Sequence, residues 1–216
     1  MKTLLLATNN AKKAKELREI LCPLGGPSGI AQSRFMVKTL ADVGIDVDVV
    51  EDAPDFRGNA WKKCREIVAV VKARKIAVDV VMADDSGLIV DALDGHPGVR
   101  SARFADDAGY VVAGLDKDAR NNRLLLTLLA PVPQEKRTAR FCACVVAHDV
   151  GSGKDVEATG FVEGAIASDE EGGGGFGYDP LFIVTEVGQR MAALSPDEKH
   201  RISHRGRALE QLLPQL

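Results

Sequence analysis

The hydrophobic positions along the chain recur with two different periods, and this mixture predicts both helices and strands. Residues 4–7 form a short apolar run that is typical of a buried strand. The segment AKKAKELREIL follows it and places Ala14, Leu17 and Leu21 on one helical face. The first predicted unit is therefore a strand, a tight turn and a helix. AWKKCREIVAVVKARK predicts a second helix, and residues 76–83 predict a second strand.

The second half of the chain adds a long hairpin to this alternation. Residues 116–129 begin with Asp, end in leucines and precede Pro131, a pattern that predicts a helix. The segments RTARFCACVVAHDV and DVEATGFVEGAIA flank a GSGK turn and predict a β-hairpin, and PLFIV predicts another buried strand. SPDE, at residues 195–198, predicts a capping box, and SHRGRALEQLL predicts a closing helix.

These elements together predict an α/β protein with a mixed β-sheet. The segment CPLGGPSGIAQS is rich in Gly, Pro and Ser, which favours a surface loop or insertion over a linker between independent domains. With 45% hydrophobic residues, the 216 residues can form one large domain or a two-lobed one. We therefore expect residues 1–216 to form a single domain.

The composition argues against several classes of protein. A formal net charge of −3 argues against non-specific nucleic-acid binding, which needs basic faces. The four cysteines show neither a CxxC pair nor a Cys/His spacing suited to zinc, so we expect reduced thiols in the core. The apolar run near residue 4 is too short for a signal peptide, and no stretch reaches membrane-spanning length. We therefore expect a cytoplasmic protein with neither nucleic acid nor a membrane as its partner.

Two adjacent acids, Asp84 and Asp85, end the apolar run in VVMADDSGLIVDALDGHPG. Successive side chains of an extended segment point to opposite faces, so we do not expect the two carboxylates to share one task. Because nearby carboxylates raise each other's pKa, an acidic strand end among lysine-rich segments indicates a bound Mg²⁺. For one of the two acids, the alternative is a helix cap or an Asx turn before Gly87.

Lysines crowd the start of the first predicted helix. Lys12, Lys13 and Lys15 follow ATNN and oppose the positive end of the helix dipole. Helix-start N–H groups together with lysines form a phosphate cradle, so this breach of a local rule indicates a functional site. A solvated basic face explains the same residues. The spacing of a Walker A loop is absent from the segment.

Residues 172–180, GGGGFGYDP, match the glycine spacing of a dinucleotide-binding loop. That motif needs a strand before it and a helix after it, whereas here SDEE precedes it and a strand led by Pro follows. A glycine loop that ends in Phe176 and Tyr178 instead lets a flat base approach the backbone and stack on an aromatic ring. A plain long turn is the alternative.

Further basic and polar residues are candidates for the same site. EKHRISHRGR carries Lys199, His204 and Arg205 near a predicted helix start, where fixed cations suit a phosphate or carbonyl group. A solvated basic helix end is the alternative. Asn59 and Lys63 are four residues apart on one helical face, so they either join a polar site or lie on the surface.

Four segments, LLLATNNAKKAKEL, ADDSGLIVDALDGHPGVRSARFA, FGYDPLF and EKHRISHRGRAL, resemble in order and spacing the inosine triphosphate pyrophosphatase family. The resemblance spans nearly the whole chain. It implies hydrolysis of the α–β phosphoanhydride of ITP, dITP or XTP to the monophosphate and pyrophosphate, with Mg²⁺ as the cofactor. It also implies an elongated mixed β-sheet flanked by helices, two lobes around a central substrate cleft, and a homodimer.

The resemblance also implies roles for individual residues. Asp85 becomes the base or metal-bound acid that prepares the attacking water, and Ser86 borders the substrate. Lys13 and Lys63 stabilise the charged transition state, and Glu51 is a second metal-associated acid. The triphosphate loop is implied at Thr8, Asn9, Asn10, Ala11, Lys12 and Lys13, of which Asn10 and Lys13 are expected to touch phosphate. The base is implied to contact Phe176, Gly177, Tyr178, Asp179, Lys199, His204 and Arg205, which read its 6-oxo edge.

Three departures from the family pattern stand out. Asn9 and Lys12 occupy positions where many members carry glycine. VEDAPDFRGNA lacks the usual glycine after the acid, so Asp52 is an alternative to Glu51. Residues 22–35 have no family counterpart, and we expect them to alter the rim of the site or the dimer contact.

Two other functions stay open at this point. One is a pyrophosphatase for modified pyrimidine or methylated nucleotides, and the other is a catalytically inactive nucleotide-binding regulator. The presence of Lys13, Asp85, Lys199 and Arg205 together argues against the regulator, because binding alone does not require the aspartate.

Overall fold

The computed structural model describes residues 1–22 and 35–216, and a seven-stranded sheet runs through them. Its strands are β1 (Lys2–Leu6), β2 (Phe35–Thr39), β3 (Val80–Val90), β4 (Thr138–Asp149), β5 (Asp155–Ile166), β6 (Phe182–Val184) and β7 (Gln189–Arg190). Their order in the sheet is β2-β1-β3-β4-β5-β6-β7. Because β1 is parallel to β2 and β3 while β6 is antiparallel to β5 and β7, the sheet is mixed, as predicted.

Helices lie between the strands. The α-helices are α1 (Ala11–Leu21), α2 (Phe56–Arg74), α3 (Phe104–Asp107), α4 (Lys117–Leu129), α5 (Pro196–Ile202) and α6 (His204–Leu212). Short 3₁₀ helices cover Ala41–Val43, Asp91–Leu93, Gly98–Arg103, Gln134–Lys136, Met191–Ala193 and Leu213–Gln215. No helix among the described residues is both long enough and apolar enough to cross a membrane.

The chain divides into two compact units. The first consists of Met1–Asp85, Ala143–Gly160 and Arg205–Leu216, and the second of Ser86–Cys142 and Phe161–His204. The strands β3, β4 and β5 contribute residues to each unit. The expectation of a single two-lobed domain stays a prediction.

In the first unit, side chains of β1 and β3 alternate between two helical layers. The even-numbered apolar residues pack in one cluster with α1 and α6, namely Leu4, Leu6, Val80 and Met82. The odd-numbered ones pack in another cluster with α2, namely Leu5, Val81 and Ala83. This is the two-residue period of a strand that is buried on both faces. The next two residues of β3, Asp84 and Asp85, inherit the same alternation.

The second unit has its own apolar core, which is built around α4 and residues of four strands, β3, β4, β5 and β6. Leu125 and Leu129 of α4 are fully buried there with Leu88 of β3. Phe141 of β4 and Phe182 of β6 belong to the same cluster, and their ring centroids are 4.6 Å apart. This core holds α4 in place, and α4 contacts the glycine-rich loop of residues 172–180.

Most of the predicted elements are confirmed. Helix α1 buries the three predicted apolar residues, and the long hairpin is formed by β4 and β5. Ser195 and Glu198 form the predicted capping box, with Pro196 in the first turn of α5. None of the four cysteines forms a disulfide. The predicted surface loop after Cys22 lies outside the described residues.

Two predicted boundaries are wrong. Helix α2 begins at Phe56, four residues before the predicted start, because the Asp55 side chain accepts a hydrogen bond from Gly58 N at 2.6 Å and caps it. Strand β3 was expected to end at the acids, but it continues through both of them to Val90. The alternative of a cap or an Asx turn for one acid is therefore wrong as well, since both carboxylates are buried inside a strand.

We predict that Gly164→Ala in β5 destabilises the fold. A Cβ atom there would overlap the carbonyl oxygen of Ile183 and the ring of Phe182, and the backbone of a neighbouring strand cannot move aside easily. We expect the free energy of unfolding, measured by urea denaturation, to fall by about 2 kcal/mol. Gly151→Ala is the matched control, because its Cβ would make only an ordinary 3.6 Å contact with Asp149. Equal losses in the two variants would contradict the prediction.

Candidate functional site

The candidate site of the first unit is centred on Asp84 and Asp85, which are both buried in β3. Asp84 continues the even-numbered face toward α1 and α6, and Asp85 continues the odd-numbered face toward α2. Their partners follow this division, as the contacts below show. The prediction that the two carboxylates face apart is therefore confirmed.

Asp84 forms a buried ion-pair network with residues of α1 and α6. Arg205 Nε donates to its Oδ2 at 3.1 Å, and Lys13 Nζ lies 3.4 Å from the same oxygen. Arg205 Nη1 also donates to Glu16 Oε2 at 2.6 Å, and Glu16 is itself buried in α1. The guanidinium group thus links an acid of the sheet to an acid of a helix.

Asp84 stays ionised in this environment. Burial alone would raise its pKa, but the nearby charges of Lys13 and Arg205 outweigh burial and hold the pKa of Asp84 well below its usual range. Burial lowers the pKa of Lys13 in turn, although Asp84 opposes this. A carboxylate that is permanently charged and paired with cations on a buried face is a poor proton acceptor.

Asp85 has a different set of partners, most of which come from α2. Asn59 Nδ2 donates to its Oδ2 at 3.1 Å, and Lys63 Nζ donates to its Oδ1 at 3.3 Å. Lys13 Nζ lies 3.9 Å from Oδ1, so it contacts both acids. Asn59 Oδ1 accepts a hydrogen bond from Ala53 N at 2.9 Å, which fixes the orientation of the carboxamide. Asn59 and Lys63 therefore join a polar site and do not lie on the surface.

The pKa of Asp85 is shifted in the opposite direction from that of Asp84. Burial raises the pKa of the Asp85 carboxyl, and the charges of Lys63 and Lys13 offset this only in part. Glu51 and Asp84 add to the increase. A raised pKa makes this carboxylate the better proton acceptor of the adjacent pair.

Glu51 and Asp52 separate clearly in the structure. Glu51 Oε1 accepts from Lys63 Nζ at 2.6 Å, so it shares this ammonium group with Asp85. Asp52 pairs instead with Lys62 at 2.6 Å, and its side chain is 67% exposed against 33% for Glu51. Of the two acids proposed for a metal, Glu51 is the one that the structure brings near Asp85.

The loop that precedes α1 is held by polar groups of its own residues. Asn10 caps α1, and its Oδ1 accepts from the backbone N–H groups of Lys12 and Lys13 at 3.0 and 3.1 Å. Thr8 Oγ1 accepts from Asn10 N at 3.2 Å, and Asn9 Nδ2 donates to Val47 O at 2.9 Å. A phosphate at these N–H groups would take the place of the Asn10 oxygen. Ala11, the first helical residue, and Lys12 are exposed.

The second unit brings together part of the predicted base-binding group. Lys199 Nζ donates to Asp179 Oδ2 at 2.6 Å and lies 5.1 Å from the centroid of the Phe176 ring. Phe176 N donates to the same oxygen of Asp179 at 2.8 Å. The ammonium group over the aromatic face fixes where the half-buried Phe176 ring lies.

Other members of the predicted base-binding group lie elsewhere. Tyr178 is buried in the core of the second unit, where its hydroxyl donates to Ser101 O at 2.9 Å and burial raises its pKa. Of the two aromatic residues predicted for stacking, only Phe176 therefore remains accessible. His204 is buried with its ring stacked on Phe141, at a centroid distance of 4.9 Å.

Arg205 and Ser86 are also among the residues predicted for the site, and both have defined places in the structure. Arg205 follows His204 in the chain and donates to Asp84 and Glu16, the acids of the first unit. Ser86 is partly buried and follows Asp85 in β3. The sequence analysis did not predict that Glu16 is a partner of Arg205. The feature that indicates it is an acid among the buried positions of the amphipathic helix α1.

The contacts of Gly177 were also missed by the sequence analysis. Its N–H donates to Asp118 Oδ2 at 3.1 Å, and its carbonyl accepts from Asn122 Nδ2 at 3.1 Å. Asp118 and Asn122 are four residues apart on α4, so a helical pair of polar residues facing a glycine loop was the available signal.

Comparisons with known proteins give consistent results over the whole chain. The Ham1 family model matches residues 4–215. The dITP/XTP pyrophosphatase of Clostridium perfringens is 42% identical over 212 residues, which are 98% of this chain and 96% of that protein. The dITP/XTP pyrophosphatase of Desulforamulus reducens is 43% identical over 210 residues, covering 97% and 93% of the two chains. The structure of a HAM1 protein from Coxiella burnetii has a TM-score of 0.76 and 31% identity, and covers 98% of this chain and 96% of that chain.

We predict that Asp84→Asn destabilises the protein strongly. The substitution keeps the shape of the side chain but leaves the buried charges of Lys13 and Arg205 with less compensation. We expect the free energy of unfolding to fall by about 3 kcal/mol, as is typical when one partner of a buried ion pair is lost. Asp52→Asn is the control, because it breaks an exposed pair with Lys62 and should change stability little. Chemical denaturation that finds both variants equally stable would refute this reading.

Proposed function

Because this chain belongs to the Ham1 family, we propose that it hydrolyses non-standard purine nucleoside triphosphates, namely dITP, XTP and ITP. The products are the nucleoside monophosphate and pyrophosphate, so the enzyme removes these nucleotides from the nucleotide pool. Its relatives that are named dITP/XTP pyrophosphatase match it over nearly their full length, which supports the same chemistry here.

The observation that carries this proposal is the difference between the two adjacent acids of β3. Asp84 is locked in a buried network of cations, whereas Asp85 combines a raised pKa with two lysines and an amide donor. Hydrolysis of an anionic substrate needs both a proton acceptor and positive charge at one place. The surroundings of Asp85 supply both.

In the proposed reaction, Asp85 accepts a proton from the attacking water. The water oxygen forms a bond to the α-phosphorus. The bond between this phosphorus and the α–β bridging oxygen breaks, and pyrophosphate leaves. Asn59 and Lys63 hold the two carboxylate oxygens so that Asp85 presents a fixed geometry to the water. Lys13 and Lys63 stabilise the negative charge of the transition state through their position and field.

We propose Mg²⁺ as the cofactor, held by Asp85 and Glu51. Within residues 1–22 and 35–216, no group of three or more His, Cys, Asp or Glu residues is arranged to hold a metal. Two carboxylates that meet at one ammonium group nevertheless suit Mg²⁺, which commonly uses one or two carboxylates and completes its shell with waters and substrate phosphates. When bound, the ion neutralises phosphate charge and lowers the pKa of a water.

Base recognition is proposed for the group around Phe176 in the second unit. The accessible ring offers a face on which a purine stacks, and Lys199 is a fixed donor next to it. A donor that needs a 6-oxo acceptor is left unpaired against the 6-amino group of adenine, which favours hypoxanthine and xanthine over adenine.

The proposal extends to assembly and location. We propose a homodimer that acts in the cytoplasm, where the nucleotide pool is used. The support is the resemblance of the four ordered sequence motifs to the family, which covers nearly the whole chain.

A substrate panel tests the proposed function directly. Purified protein with Mg²⁺ is given dITP, XTP, ITP, dATP, dGTP and dTTP, and pyrophosphate and orthophosphate are measured separately. We expect pyrophosphate from the first three and little turnover of dATP and dTTP, while dGTP tests whether the 6-oxo group alone is sufficient. Stepwise release of orthophosphate, or a preference for dTTP over dITP, would overturn the proposal. Binding of dITP without turnover would favour the nucleotide-binding regulator.

We predict that Asp85→Asn strongly reduces turnover while it preserves nucleotide binding. The amide cannot accept the proton, and loss of a positioned base costs roughly 10²–10⁴-fold in rate. The measurements are the rate of pyrophosphate release from dITP and the affinity for dITP. Asp52→Asn serves as the control, since its carboxylate pairs with Lys62 outside the network. A variant that loses affinity as much as rate would contradict the assigned role.

We predict that Glu51→Gln weakens the binding of Mg²⁺ more than Asp52→Asn does. Only Glu51 shares Lys63 with Asp85, so only its loss removes a carboxylate from the proposed metal site. We expect the Mg²⁺ concentration for half-maximal activity to rise at least about ten-fold, the lower end of what losing a partner at a metal site costs. The same shift in both variants would show that Glu51 has no special place there.

A further inference from the structure

The loop of residues 172–180 has little stiffness of its own. It contains five glycines, and three of them adopt positive φ angles, with Gly177 at +62°. Glycine loses more conformational freedom on ordering than any other residue, so a loop of this composition needs ties from outside to hold one shape. The position of the Phe176 ring depends on these ties.

The second unit supplies such ties from helix α4. Asp118 Oδ2 accepts from Gly177 N, and Asn122 Nδ2 donates to Gly177 O, each at 3.1 Å. The two side chains are one helical turn apart and hold both polar groups of the same glycine. Asn122 is buried and Asp118 is partly buried, so water competes only weakly for these hydrogen bonds.

Helix α4 is itself anchored next to this contact. Asn121 Oδ1 accepts from Ala105 N at 2.8 Å, and its Nδ2 donates to Ser101 O at 3.3 Å. The hydroxyl of Tyr178 donates to the same Ser101 carbonyl at 2.9 Å. The residue after Gly177 and the residue before Asn122 therefore share one backbone acceptor, which makes the helix a rigid support for the loop.

We propose that Asp118 and Asn122 are positioning residues for base selection. They act through Gly177 on the adjacent Phe176, whose N–H donates to Asp179. This inference rests on the proposed function, in which the Phe176 ring receives the purine. Loss of either tie widens the range of positions that the ring adopts, so the site discriminates less well between 6-oxo and 6-amino bases.

The test compares selectivity in variants of the full-length chain. Asn122→Ala removes the donor to Gly177 O, and Asp118→Ala removes the acceptor of Gly177 N. Asp118→Asn keeps an acceptor oxygen and is the conservative rescue. Thr127→Val on the same helix is the control, because its hydroxyl donates to the Arg123 carbonyl within α4. For each variant, kcat and KM are measured with dITP and with dATP, and Tm is recorded.

We expect the ratio of kcat/KM for dITP to that for dATP to fall by about ten-fold in both alanine variants, the effect of one lost hydrogen bond. The fall should come mainly from a higher KM for dITP. Asp118→Asn should restore most of the selectivity, and Thr127→Val should match the parent chain. A purely structural role would lower Tm and reduce kcat/KM for both substrates by the same factor, and that result would overturn the inference.

The failure of this inference can be told apart from the failure of the proposed function. If the unmodified chain releases no pyrophosphate from dITP, the proposed function fails. If the unmodified chain is active and selective, but the folded Asn122→Ala and Asp118→Ala variants keep its selectivity, only the positioning role fails.

Discussion

The burial of two adjacent carboxylates in one strand is the constraint on which the first unit depends. A charge taken out of water is costly unless a partner of opposite charge is buried with it. Asp84 and Asp85 face opposite sides of β3, so each side needs its own cations and donors. Helices α1 and α6 supply Lys13 and Arg205 to one side, and α2 supplies Lys63 to the other.

The same requirement gives the two acids their different properties. Arg205 and Lys13 both lie within 3.4 Å of one oxygen of Asp84, and Glu16 completes the network by accepting from Arg205. Asp85 is also close to Lys63 and Lys13, but burial and the negative charges of Glu51 and Asp84 outweigh these cations there. One strand thus carries a carboxylate that organises charge and, next to it, a carboxylate suited to accept a proton. Identical side chains acquire separate roles from the faces on which they lie.

Local patterns in the sequence predicted the elements whose signals are local. The apolar face of α1, the hairpin of β4 and β5, and the capping box at Ser195 depend on residues within a few positions of each other. The continuation of β3 through its acids was beyond such reasoning, because Arg205 is 121 residues away from Asp84 in the chain. The place of Tyr178 in the core was missed for the same reason, since its hydroxyl partner is 77 residues away. Family motifs brought these residues together as a set, but their spacing could not assign each to a face.

The side chains of β3 alternate between two faces, and this alternation also limits how the strand can change in length. A deletion of one residue between Val80 and Ala83 would place Asp84 at the apolar position now held by Ala83 and turn Asp85 toward α1 and α6. Ser86 would then face the lysine and amide of α2. A deletion of two residues would keep the faces but move both acids by about 6.6 Å along the strand, beyond the reach of their partners. Selection should therefore remove insertions and deletions in this strand even where it tolerates point substitutions of the apolar residues.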